Sequence, residues 1–136
     1  RRRGAIAVGQ HLDLLRSRGL VAALVMLVGL FIMIGTFDTE WVLVLDDMDT
    51  ADWIANVGIT VFALPFILFG SYGGRLAERV GPFRLATIGL TCGAIAMFCY
   101  GVAPSGGVMF VIALVHAVND GLTFSASSVA ASRSKA

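Results

Sequence analysis

The sequence predicts an all-α membrane protein with four transmembrane helices, and three observations carry that prediction. Of the 136 residues, 57% are hydrophobic and only 14% charged, a balance that a water-soluble domain of this length cannot hide from solvent; the mean hydropathy is +0.86. The apolar residues gather into runs at 19–45, 53–72, 84–103 and 107–131, each near the roughly 20 residues needed to cross about 30 Å of hydrocarbon. The basic residues recur only at every second junction between runs, and the junctions between them are acidic or uncharged, as in a chain threaded back and forth through a bilayer.

The lead, residues 1–18, carries Arg1, Arg2, Arg3, Arg16 and Arg18, with Ile6, Val8, Leu12, Leu14 and Leu15 spread among polar residues. It reads either as a short helix lying on the membrane surface or as a juxtamembrane linker, with His11 solvated. The first run follows this polar lead and has no small-residue cleavage site at a sensible distance, so it is a span rather than a secretory signal peptide. Near its far end stand Asp38 and Glu40, about 200° apart on a helix, which keeps them from sharing one cavity. The next loop holds Asp46, Asp47, Asp49 and Asp52 with no basic residue, and Trp41 and Trp53 flank it as interfacial aromatics would.

The second run contains Pro65, which removes a backbone hydrogen bond and is expected to kink its helix. Gly70 and Gly74 in the second run and its extension, and Gly89 and Gly93 in the third, form small-residue pairs four apart that let membrane helices approach closely. Cys92 and Cys99 are seven positions apart, about 10 Å along a helix axis, too far for a mutual disulfide. The turn "APSGG" before the fourth run has no charge, and the end of the chain, 132–136, carries Arg133 and Lys135. Every basic cluster thus falls on one side of a four-span chain, the cytoplasmic side by the positive-inside rule. An arginine at position 1 and the abrupt polar ending "SRSKA" point to a piece of a longer chain.

An ionisable group inside a span is costly and is a functional candidate by default. The fourth run offers the densest set: His116, Asn119, Asp120, Thr123 and Ser127 fall on one face of a helix, with His116 and Asp120 at i, i+4 and able to touch. His116 lies roughly 14 Å below the outer end of its span, close to mid-bilayer. Such a pair either exchanges a proton or only satisfies itself between helices. No nucleophile elbow, metal-ligand cluster or phosphate-binding loop is present. An enzyme, a cofactor, a bound metal and a nucleic-acid partner are therefore not expected, and ATP is not the local energy source.

The segment "GGRLAERVGPFR", residues 73–84, concentrates the mid-chain charge between two apolar runs. It resembles the signature loop of the major facilitator superfamily, which runs Gly, three residues, Asp, Arg, any residue, Gly, then basic residues. Gly74, Leu76, Ala77, Glu78, Arg79, Gly81 and Arg84 fill the pattern in register, with Glu78 in place of aspartate and Pro82 and Phe83 where basic residues are frequent. Gly74 would admit a neighbouring helix, Gly81 and Pro82 would make the sharp turn, and Glu78 would pair with Arg75 or Arg79 or meet a helix N-terminus. "FDTEWVLVL", "FALPFILFG" and "HAVNDGLTF" look more like helices seven to ten of a twelve-helix transporter than helices one to four.

The resemblance implies part of a twelve-helix bundle that transports a small molecule by alternating access, with its remaining helices as partners. It implies Gly74, Arg75, Glu78, Arg79, Gly81 and Arg84 as a cytoplasmic gate. It also implies Asp38 or Glu40, with His116, Asn119, Asp120 and Thr123, as candidates for the substrate or proton pathway. Proton-coupled efflux across a bacterial plasma membrane, with both ends of the chain cytoplasmic, is the most specific form of that expectation. Other readings stay open: "RLAER" as an ordinary basic turn that anchors topology, a small four-helix multidrug exporter working as a dimer, or a membrane assembly or sensor subunit that transports nothing.

Overall fold

The computed structural model describes residues 17–134, apart from the side chain of Phe66. Most of the lead in which an interfacial helix or linker is expected, residues 1–16, lies outside the described residues, as do 135 and 136. The described chain folds into four helices, α1 (Arg18–Asp47), α2 (Asp52–Val80), α3 (Pro82–Gly101) and α4 (Gly106–Arg133). All four are long and apolar enough to cross a membrane. Even the shortest, at 20 residues, spans about 30 Å.

Local sequence explains each end. Ser17 caps α1 by accepting a hydrogen bond from the Leu20 N–H at 3.4 Å. The far end of α1 closes with Asp49 at φ 48, its N–H bonded to Asp46 O and the Thr50 N–H to Leu45 O, both at 3.0 Å. That is a Schellman closure in which an aspartate stands where glycine is usual. Helix α2 has no side-chain cap, but Asp52 in its first turn faces the positive end of the helix dipole. It runs unbroken through Pro65 to Val80 and stops at Gly81, whose φ of 100 is closed to ordinary side chains. Pro82 then occupies the first turn of α3, where its missing N–H costs nothing. Ser105 caps α4 by accepting from the Val108 N–H.

The short turns make sequential helices antiparallel. Thr50, in the first turn, packs directly over Gly106 at the start of α4, and the Ser17 hydroxyl donates to Ser134 O at 3.4 Å. The four acids Asp46, Asp47, Asp49 and Asp52 therefore share one end of the bundle with the 102–105 turn. The described basic residues Arg18, Arg75, Arg79, Arg84 and Arg133 occupy the other end.

Helix α4 is the centre, with 39% of its apolar window buried against 18–22% for the other three. It packs on all of them because its contact face is small: Gly106, Ala113, Ala117, Gly121, Ala126 and Ala130 are buried. The outer surface is the apolar one, with Val25, Ile32, Ile67, Phe98 and Val115 more than 60% exposed, while His116, Asp120, Thr123 and Ser127 are enclosed. A bundle greasy outside and polar within is organised for lipid rather than water.

Three features depart from the sequence-based reading. The residues expected to form a loop after 72 are the last two turns of α2, and only Gly81 separates it from α3. Trp41 is not an interfacial aromatic: it is fully buried, donates from Nε1 to Ala55 O at 3.1 Å, and packs on Gly58, where a Cβ would collide with its ring. Trp53 does stay exposed, edge-on to Phe110 at 6.2 Å. Of the glycine pairs, Gly89 and Gly93 lie at tight contacts, but a Cβ on Gly70 or Gly74 would meet open space. Gly73 makes the close approach instead, against Ser125 and the Leu122 backbone.

Candidate functional site

The densest polar cluster forms where α4 faces α3 and α1. Because His116, Asn119, Asp120 and Thr123 recur at three- and four-residue intervals, helical geometry puts them on the buried side of α4. His116 Nε2 lies 3.4 Å from Asp120 Oδ1, with both side chains sealed from solvent. The pair straddles the middle of a 28-residue helix about 42 Å long, so each group is about 15–20 Å from the nearer end.

Neighbouring helices complete the cluster. The Tyr100 hydroxyl, from the last turn of α3, is 3.0 Å from His116 Nδ1. When Tyr100 donates this bond, the imidazole carries its own proton on Nε2, facing Asp120. Asn119 donates to Gly89 O on α3 at 3.0 Å and to Asp120 Oδ1 at 3.4 Å, and the Thr123 hydroxyl donates back to Asn119 O at 2.7 Å. Gly89 and Gly93 make room for this: a side chain at 89 would overlap Thr123, and one at 93 would meet Met33 Cε at 2.9 Å and His116 Nε2 at 3.4 Å. Phe37 stacks on Phe62 at 4.4 Å, and both rings stand edge-on to His116, at 6.4 and 6.0 Å.

The cluster is incompletely satisfied. His116 Nε2, Asp120 Oδ2 and Ser127 Oγ are buried with no hydrogen-bond partner, since the His116–Asp120 approach lacks hydrogen-bond alignment. A buried polar atom without a partner is costly, and an ionisable pair inside a span is a functional candidate by default. Chemically, the arrangement sets a phenol, an imidazole and a carboxylate side by side, with a hydrogen bond between the first two and a 3.4 Å approach between the last two.

The other predicted residues are elsewhere. Asp38 and Glu40 are exposed and touch neither His116 nor Asp120; Glu40 lines a separate concavity with Trp41 and Tyr100. At the basic end, Glu78 pairs not with Arg75 or Arg79 but with Arg133 at the end of α4, at 3.9 Å and with both side chains more than half exposed. Arg75 and Arg79 line a shallow groove with Tyr72, one helical turn apart on α2, and Arg84 is exposed. Sequence reasoning missed Tyr100, whose hydroxyl completes the buried row. A tyrosine ending an otherwise apolar run was the one signal available.

No protein-family model matches the chain, and comparison with curated proteins and with solved structures finds no match.

Proposed function

We propose that this chain forms part of a secondary active transporter of the major facilitator type, moving a small molecule by alternating access and coupled to protons through His116 and Asp120. The single observation that carries this reading is the buried Tyr100–His116–Asp120 row, at mid-membrane depth and with unsatisfied atoms. An ionisable pair inside a span is costly, which favours a role that uses its charge over a static tie between helices.

The basic end supplies the gate in this account. Gly74 faces open space on α2, next to Arg75 and one turn from Glu78 and Arg79, so a helix from outside these four has room to approach it. The Glu78–Arg133 contact, weak because it is exposed, ties α2 to α4 and breaks readily when the bundles rock. By the positive-inside rule this end is cytoplasmic.

The test is flux in proteoliposomes containing the full-length protein. Asp120→Asn abolishes accumulation driven by a proton gradient but leaves exchange of substrate across the membrane. Proton-driven flux unchanged in Asp120→Asn would overturn the coupling role.

A further inference from the structure

Among the described residues, the basic end of the bundle sets Arg18, Arg75, Arg79, Arg84 and Arg133 against a single acid, Glu78, which is already paired with Arg133. Arg75 and Arg79 have no described carboxylate within ion-pair distance. The acids of the opposite turns are remote: Asp52 is 23 positions from Arg75 on α2, about 35 Å and several screening lengths away. The field at this part of α2 therefore attracts anions.

Arg75 and Arg79 stand one turn apart on one face, where their like charges repel and an anion between them relieves the repulsion. With Tyr72 and Leu76 they line a groove of about 160 Å³, below the range of small-molecule sites but enough for a phosphate group. A guanidinium fork meets phosphate oxygens two at a time, so two such forks on one groove make a phosphate clamp.

The depth of the groove and the surface beneath it decide where that phosphate comes from. At 29 residues α2 is about 43 Å long, against about 30 Å of hydrocarbon, so its end turns stand in the headgroup layers. Arg75 and Arg79 fall within the last six residues of α2, about 8 Å, at the level of lipid phosphates. Below them Tyr72, Leu68 and Leu64 follow at four-residue spacing, all exposed. The five side chains lie within about 80° of one another around the helix. A free anion would use the arginines alone; an anionic head with an apolar tail uses the whole lane. Gly74, the position open to another helix, is about 120° round α2 from the centre of this face, so the two surfaces do not compete.

We propose that Arg75 and Arg79 bind the phosphate of an anionic phospholipid, with one of its acyl chains lying along Tyr72, Leu68 and Leu64. The positive-inside rule puts this end in the cytoplasmic leaflet, whose anionic lipids attract basic residues at the surface. The site needs only the membrane topology, so it stands whether or not the chain transports.

Photocrosslinking of the full-length protein in nanodiscs tests this. The bilayer is phosphatidylcholine with a trace of phosphatidylglycerol carrying a diazirine part-way down one acyl chain, and labelled positions are read by mass spectrometry. Labelling is expected within residues 64–72. Unlabelled phosphatidylglycerol should displace it, whereas phosphatidylcholine, inorganic phosphate and glycerophosphoglycerol, the same headgroup without chains, should not at equal concentration. Arg75→Gln and Arg79→Gln should each weaken labelling about fivefold, the loss expected for one basic side chain near an anionic surface, while Arg84→Gln, outside the groove, leaves it within about twofold. Equal losses from all three variants would mean a diffuse basic field and overturn the site. Equal competition by phosphatidylcholine, or displacement by inorganic phosphate, would overturn it as well.

Discussion

Replacing Gly89 with alanine probes how α3 seats against α4. The added methyl would overlap the Thr123 hydroxyl outright and stand 2.9 Å from Thr123 Cβ and 3.1 Å from Cγ2. Thr123 cannot swing away freely, because its hydroxyl is bonded to Asn119 O and it is 1% exposed. The helices must therefore separate, which also stretches the Asn119–Gly89 hydrogen bond of 3.0 Å. Overpacking of this kind costs about 1–3 kcal/mol, and the weakened hydrogen bond adds about 1 kcal/mol. Thr123→Ala removes the worst overlap but leaves Cβ at 2.9 Å, so rescue should be partial, with a coupling of about 1 kcal/mol between the two sites. Unfolding in mixed micelles at rising SDS fraction, followed by circular dichroism for wild type, both single variants and the double, measures that cycle. A neutral Gly89→Ala, or strictly additive singles, would refute the packing described for α3 and α4.

Three further outcomes are expected from the same assay. Gly74→Ala should be neutral or stabilising by up to about 1 kcal/mol, since the methyl enters open space and alanine is the better helix former; a cost like that of Gly89→Ala would mean that Gly74 is packed. Gly81→Ala should cost about 1–3 kcal/mol, because only glycine tolerates φ 100 there without strain. Trp41→Ala should cost about 3–5 kcal/mol, while Trp53→Ala, whose ring is 59% exposed, should cost far less; equal effects would contradict the burial of Trp41.

The helices were legible because lipid imposes length and hydropathy on any chain that crosses it, and the acidic and basic turns fixed their alternation. The His116–Asp120 contact was legible because i, i+4 spacing is a property of one helix. What joins separate helices was not. Tyr100 reaches His116 across α3 and α4, and no spacing rule acts between helices. Trp41 beside an acidic turn fits an interface or a core equally, and the space left by Gly58 on α2 decides for the core. Glu78 had Arg75 and Arg79 within reach along its own helix, yet it meets Arg133, 55 positions on. Residues 73–84 read as a loop between two spans, but Leu76, Ala77, Glu78 and Arg79 are strong helix formers that carry α2 to Val80.

The account rests on four membrane-crossing helices whose basic ends share one compartment. With Cys92 and Cys99 replaced by serine, single cysteines at positions 47 and 79 can be labelled with a membrane-impermeant maleimide in sealed, oriented vesicles. The prediction is that each is reached from one side only and that the sides are opposite. Labelling of both from the same side would contradict it.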